Sequence, residues 1–560
     1  MEKLFFSALL VLGWVIPNRF IPLTSAYNDL AAWAGLFVIA TGTLVRLHDH
    51  QVELPKLSVF VFLLTLVPWL QWLLGHIYFL EDALLASVYL GGFALAIVVG
   101  RNTATAEEMA DWLSGAILFG ALISVALALH QWLGLHQLGV WLVGMQPGGR
   151  PFANLGQPNN LASLLLLGIA ASVYLRERGF YGGAVLGLLM LLLFAGIAMT
   201  RSRTALVAAA IISVWLINGL RLQKLKLGKF EILLGFMLFN VMWFSWPTLS
   251  DWLGLSVTGR RTEEIGSRSV MWLQLLDAAW REPWLGYGWN QVSVAQAAVA
   301  ADYPRSEFTE HAHNLFIDLV CWNGLPLGSI AIAVVLAWLY VSGTRLRGLS
   351  AWYGYALILV LGTHAMFEYP LDYAYFLVPF GLAIGVVERS YADSVFRMPR
   401  WIPGIIVLLG VLVWIGIAYE YPIVRHQVDK LRYEAAGIVW REQANQQPIR
   451  LLTLTRDRLR LAENEEKEDI SSSELEQVRK MAARRPSAPM LYRYARALAL
   501  DGQYTAAANQ LKILGQLHPT KYYEQAVDRW RDMVEKHPKL RNVELPPLPP
   551  HSGSGPDAAR

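Results

Sequence analysis

Residues 309–328, Thr-Glu-His-Ala-His-Asn-Leu-Phe-Ile-Asp-Leu-Val-Cys-Trp-Asn-Gly-Leu-Pro-Leu-Gly, run from a polar loop into an apolar helix and carry two imidazoles, an amide and a carboxyl. His311, His313 and Asn314 occupy the last polar turn. Asp318 lies one helical turn beyond Asn314, on the same face and inside the apolar run. Imidazole changes its protonation near neutral pH, which suits it to taking a proton from a poor nucleophile. An ionisable group such as Asp318 is costly at hydrocarbon depth, so its presence there points to function.

Three further stretches set polar groups into apolar surroundings. In Met-Thr-Arg-Ser-Arg-Thr-Ala, 199–205, Arg201 and Arg203 interrupt a hydrophobic run. Guanidinium suits phosphate, because its planar fork donates paired hydrogen bonds and keeps its charge. The same pair would equally serve as interface anchors reaching for headgroups. Gly-Ser-Arg-Ser-Val-Met-Trp, 266–272, precedes Arg-Glu-Pro-Trp-Leu-Gly-Tyr-Gly-Trp, 281–289. Trp272, Leu275, Leu276 and Ala279 recur at helical spacing, which predicts an amphipathic helix in the membrane interface with Arg268 in its first turn. Taken alone, Arg268 reads as a solvated loop charge. The last stretch, Arg150-Pro-Phe-Ala-Asn-Leu-Gly-Gln-Pro-Asn-Asn-Leu-Ala, is a turn-rich loop entering a helix, with Gln157 and Asn159 beside Pro158. Helix capping would account for Asn159 and Asn160.

The sequence lacks an Asp-x-Asp motif, a P-loop, a dinucleotide-binding glycine pattern and a Cys/His cluster at zinc spacing. A reaction without cofactor or metal is therefore expected, and no nucleic-acid partner.

The elements that must carry these stations follow from composition. Of 560 residues, 55% are hydrophobic and 16% charged, with a mean hydropathy of +0.37. That is too apolar for one water-soluble core, and it predicts an all-α, multi-pass membrane protein. Apolar stretches of roughly 17 to 25 residues, the length that crosses ~30 Å of hydrocarbon, predict about thirteen spans. They lie near 4–17, 28–46, 57–75, 79–99, 112–133, 158–176, 181–199, 204–219, 230–247, 313–342, 351–367, 371–388 and 401–419. Residues 4–16 resemble a signal-peptide core, but Pro17-Asn18-Arg19 lacks a small-residue cleavage pattern, so the stretch reads as the first span. Cys321, the single cysteine, reads as a small core residue, and disulfides have no part in the fold.

Lysine and arginine concentrate in loops on one side, for example Lys224, Lys226, Lys229, Arg397 and Arg400. The short loops on the other side carry only Arg19, Arg150, Arg201 and Arg203. This bias predicts a cytoplasmic N-terminus and, with an odd number of spans, an external C-terminal domain. The long loop 248–312 falls on the external side, as do the other polar stations. The expected organisation is a membrane domain over 1–419, a helical domain over 420–544 and a disordered Pro/Gly/Ser-rich tail over 545–560. Residues 488–519 read as helix, Asp-Gly turn, helix and Pro stop, resembling one tetratricopeptide unit, with a further helix over 522–537. A plain helical hairpin would give the same pattern.

His313-Asn314 with Gly324 ten residues later resembles the signature of the O-antigen ligase and polymerase superfamily, membrane enzymes that handle polyprenyl-diphosphate-linked glycans. Thr-Arg-Ser-Arg at 200–203, and Ser-Arg-x-x-x-Trp with the Pro-Trp-Leu-Gly-Tyr-Gly that follows, resemble that family's two arginine stations. The 150–162 stretch and the soluble tail are similar to the narrower branch of PglL-type bacterial protein O-oligosaccharyltransferases. Two positions depart: Asn160 stands where that branch carries an imidazole, and Leu327 where the superfamily has a small or polar residue.

The resemblance implies a lipid-linked oligosaccharide donor, on undecaprenyl diphosphate, and a Ser or Thr hydroxyl of an exported, pilin-like protein as acceptor, at the bacterial inner membrane with the active site in the periplasm. His313 becomes the general base by motif position. Arg203, Arg268 and Arg201 become the cations for the diphosphate, for which His311 is also a candidate. Gln157 and Tyr369 fall on positions that the branch marks as functional, and His311, Asn314 and Glu368 are candidates for orienting acceptor or sugar. Tyr369 is equally explained as an interface aromatic. An O-antigen ligase, an O-antigen polymerase and, in another class, a transporter or flippase of anionic lipid remain alternatives. The absence of an internal repeat and the one-sided clustering of polar stations favour an enzyme over a transporter.

Overall fold

The structure is a computed structural model that describes residues 1–17, 21–47, 51–135, 137–146, 148–223, 225–255, 264–391, 396–438, 447–463 and 470–547, with backbone alone at 222 and 264–267. Arg19 and nearly all of the tail over 545–560 lie outside the described residues. In hydrocarbon each peptide N–H and C=O must be satisfied within the chain, so long apolar runs are driven into helix. Among the described residues ten helices are long and apolar enough to cross a membrane. All thirteen expected stretches fall on helices. Those outside the ten are Glu2–Val15, Leu349–Ala365 and Ala374–Tyr391, of 14, 17 and 18 residues.

Two compact units emerge, each built from more than one segment of the chain. The first comprises Met1–Thr65, Val88–Gly259 and Val334–Tyr421. At its centre is Pro158–Glu177, with every side chain from Asn159 to Leu175 buried. Neighbouring helices approach closely through small residues: a Cβ on Gly100 would strike the Leu382 carbonyl, and one on Gly385 the Ile97 carbonyl. Such contacts replace the hydrophobic drive that lipid cannot supply. One departure from an all-α chain is the antiparallel pair Gln51–Leu54 with Phe396–Pro399. Glu53 pins it, pairing with Arg101 at 2.9 Å and Arg397 at 3.3 Å.

The second unit comprises Leu66–Ser87, Arg260–Ala333 and residues from Pro422 onward. The expected span 313–342 is not one helix. Leu315–Arg345 is interrupted at Gly324, whose φ of 75° and ψ of 174° are non-helical, with Pro326 just beyond. The carbonyls freed at the break are taken by the Pro-Trp-Leu-Gly-Tyr-Gly segment: Tyr287 N–H donates to Cys321 at 2.8 Å, Gly288 N–H to Trp322 at 3.2 Å, and Leu325 N–H returns to Pro283 at 2.7 Å. Gln71 adds its amide to the Leu285 and Trp322 carbonyls at 3.0 and 2.7 Å. Residues 325–345, roughly twenty in number, still span about 30 Å. A Cβ at Gly324 would lie 2.6 Å from the Pro283 carbonyl oxygen, and its φ disfavours any L side chain. Gly324→Ala is expected to destabilise this unit by at least about 1–2 kcal/mol, read as loss of amide protection at 283–288 and 321–325.

The helical hairpin lies where the turn chemistry put it: Ala488–Leu500, a turn with Gly502 at φ 84°, then Tyr504–Leu517, with Thr520–Lys536 after Pro519. Leu491, Ala495, Leu498, Leu511 and Leu514 fill its seam, and Ala300 from the preceding loop joins them.

Candidate functional site

In the first unit, the 150–160 loop, the 199–205 station and the end of Leu349–Ala365 converge. Gln157 donates to Glu368 Oε2 at 3.2 Å and Asn159 to Glu368 Oε1 at 3.0 Å. Arg150 donates through Nε to the Thr200 carbonyl at 2.7 Å and through Nη2 to Asn159 Oδ1 at 3.4 Å. The capping account of this loop fails: Gln157 is the N-cap residue and makes no side-chain cap, and the Asn159 amide is turned to Glu368. Asn160 is fully buried, and neither of its side-chain polar atoms meets a described partner. Tyr369, half-buried, opens the turn Pro370–Asp372 and packs against Tyr373 with ring centroids 6.1 Å apart.

Sequence reasoning missed His364. Fully buried, it stands four residues before Glu368 and meets Ser163 Oγ through Nδ1 at 2.8 Å. An ionisable pair at i, i+4 inside an apolar run was the available signal.

The two arginines of Thr-Arg-Ser-Arg occupy different environments. Arg201 ends Gly183–Thr200 in the left-handed region, φ 51°, with its guanidinium 4.1 Å above the Trp243 ring and bonded to the Trp243 carbonyl. Ser202 caps the next helix, accepting from Ala205 N–H at 3.3 Å. Arg203 opens Arg203–Leu222 with an exposed side chain. A cation at a helix N-terminus opposes the macrodipole, and both together favour an anion. Of the two, Arg203 is the one presented outward.

In the second unit, the loop carrying His313 is fixed on both sides. Asn314 Oδ1 accepts the N–H groups of Phe316 and Ile317 at 3.0 and 3.3 Å, capping Leu315–Arg345. Asp318 follows one helical turn later. It is buried and reaches back to accept the Ala312 N–H at 2.7 Å. The Ala312 carbonyl accepts from Trp272 Nε1, also at 2.7 Å. His313 itself adopts φ 52° and is half-buried. Both backbone groups of Ala312 are thus held and the helix start is capped just after His313. The left-handed turn at His313, which the cap and the Asp318 bond jointly enforce, is rare for a non-glycine residue and is the type of backbone found at functional positions.

Trp272 also explains the spacing Arg-x-x-x-Trp: Arg268 lies one turn earlier on the same helix face. The described helix runs Glu264–Arg281 and carries Arg268 near its start. Its buried side carries Met271, Leu275, Ala278 and Ala279. Leu276 turns the other way, exposed with Leu273 and Trp280. His311 is half-buried beside Thr309, which bonds the His311 carbonyl. Among the described residues no group of three or more His, Cys, Asp or Glu is placed to hold a metal ion.

Known proteins resemble the chain in three segments. Residues 188–332 match the O-antigen ligase family, 352–532 the C-terminal region of the virulence factor membrane-bound polymerases, and 151–175 the protein glycosylation ligase family. A general O-oligosaccharyltransferase of Acinetobacter baylyi is 28% identical over 538 residues, 92% of each chain. A ComP-specific O-oligosaccharyltransferase of the same organism is 28% identical over 400 residues, 69% of this chain and 71% of that one. No solved structure matches. These similarities bear out the resemblance to the PglL-type oligosaccharyltransferases and the reading of the chain as a glycosyltransferase of the membrane.

Proposed function

We propose that this chain transfers an oligosaccharide en bloc from undecaprenyl diphosphate to a serine or threonine hydroxyl of exported proteins such as pilin. The observation that carries the reading is the clamped loop at His313, an imidazole on a left-handed turn, with Ala312 before it bonded to Asp318 and Trp272 and the Asn314 cap after it holding the Phe316 N–H. Kinship with two O-oligosaccharyltransferases supports the substrate pair.

In this mechanism His313 takes the hydroxyl proton as the acceptor oxygen forms its bond to the anomeric carbon. The bond from that carbon to the diphosphate oxygen breaks, and the electron pair leaves with the polyprenyl diphosphate. Arg203 and Arg268 stabilise the growing charge, with Arg201 in support. Fixed donors aimed at developing charge in a water-poor site contribute several kcal/mol in typical enzymes. Attack opposite the leaving group inverts the anomeric centre. Gln157, Glu368 and Tyr369 orient hydroxyls of sugar or acceptor. The positive-inside bias supports an inner-membrane protein with a cytoplasmic N-terminus and a periplasmic active site and helical, TPR-like C-terminal domain.

A second reading is ligase or polymerase chemistry, favoured by the O-antigen ligase match over 188–332 and the polymerase match over 352–532. A reconstituted assay with one lipid-linked donor and two competing acceptors, a pilin-like protein and lipid-A core, separates the readings. Glycosylated protein is the expected product. Glycosylated lipid alone would assign the chain to the ligase branch, and elongated donor to the polymerase branch.

A further inference from the structure

The loop that ends at His313 is tied to the C-terminal helices between Arg305 and Glu310, inside the second unit. Ser306 N–H donates to the Gln516 carbonyl at 2.9 Å and Phe308 N–H to the Leu517 carbonyl at 3.1 Å, a strand-like seam along the end of Tyr504–Leu517. The Phe308 ring lies 6.0 Å from that of His518, and Arg305 bonds the Thr520 hydroxyl. Glu310, three residues before His313, forms an ion pair with Arg485. Its charge also favours the protonated forms of Arg484 and of Arg458 on Thr453–Glu463. Burial and the Arg485 charge lower Arg458, and Glu310 offsets part of that.

The far side of the seam is anchored as firmly. Ser293 Oγ donates to the Arg484 carbonyl at 2.8 Å, and Arg484 grips Asp82 through two bonds, 2.9 and 2.8 Å, with both side chains buried. Between seam and imidazole little slack remains: Thr309 N–H donates to Gln296 Oε1 at 2.9 Å, and Ala312 is held as described.

We infer that Arg485, through Glu310, is a positioning residue for the base, and that the C-terminal helices form part of the catalytic scaffold rather than a separate acceptor-binding module. The inference rests on His313 being the base. A displacement of the imidazole by about 1 Å is enough to cost up to ~10²-fold in rate, whereas loosening a loop that touches no donor leaves donor affinity alone.

The test is a double-mutant cycle in full-length, detergent- or nanodisc-purified protein, with Arg485→Gln, Glu310→Gln and the double variant, and His313→Ala as control. Each single variant should lower kcat roughly ten- to a hundredfold with donor and acceptor KM within about twofold, and the double should be no worse than either single, since the two act as a unit. Amide exchange at 309–314 should quicken in all three. Unchanged kcat in the single variants, multiplicative losses, or a rise confined to acceptor KM would each overturn the proposal. If Arg485→Gln fails to fold, the Glu310→Gln variant gives the same reading from the loop side. Full activity in His313→Ala would instead remove the underlying base assignment, whatever the cycle shows.

Discussion

His313→Ala is expected to lower transfer by about 10²–10⁴-fold, the usual contribution of a positioned general base, while the protein remains inserted and donor lipid still binds. In the proposed mechanism the loss falls on kcat, because there the imidazole acts on the acceptor proton in the transition state while arginines hold the diphosphate. Backbone effects are separable here. His313 has φ 52°, a region in which asparagine is several-fold enriched over most residues. His313→Asn therefore preserves the turn and removes the imidazole, and it should be as inactive as His313→Ala. An active asparagine variant would mean that the turn matters and the imidazole does not.

The second large effect is expected from Arg484→Met. Arg484 and Asp82 keep only 8% and 3% of their side-chain surface exposed. Burial alone would lower the Arg484 pKa, yet the adjacent Asp82 carboxylate holds it above its ordinary value. Removing the arginine strands Asp82 as a buried, uncompensated charge, which typically costs about 3–5 kcal/mol. Amide exchange over 293–308 and 472–517 should accelerate accordingly. Pairing the change with Asp82→Leu should recover most of the loss, since an apolar pair of similar volume often replaces a buried ion pair without penalty. Equal exchange in single and double variants would show that the bond to Asp82 is not what holds these segments.

What was legible in the sequence tracks what is local. Spans follow from apolar length, and the hairpin at 488–519 follows from Asp501-Gly502 and Pro519, because backbone chemistry there is decided within a few residues. His313, Asn314, Arg203 and Arg268 stand out as polar groups beside apolar runs, but their roles follow only from motif resemblance, with no physical account of their spacing. The structure supplies one for two of them: Trp272 holds the Ala312 carbonyl, and Gly324 lets the segment at 283–288 close on the broken helix.

Long-range pairings were not legible. Gln71 looks like a polar blemish in an apolar run until the Leu285 and Trp322 carbonyls are seen against it. For Asp318, helical periodicity gives a face but not its partner, the Ala312 N–H. His364 was passed over for the same reason, its partner Ser163 being 201 positions away. Residues 66–87 and 260–333 gather with the chain from 422 onward, which no composition boundary signals.

The measurement that bears most directly on the central proposal is the intact mass of an acceptor protein after incubation with purified full-length protein and a lipid-linked glycan of a single defined length. One increment equal to the entire glycan, on a serine or threonine and matched by one equivalent of released polyprenyl diphosphate, is the predicted result. An unmodified acceptor with the glycan transferred to lipid-A core or onto another donor molecule would contradict it, as would a ladder of single-sugar additions to the protein.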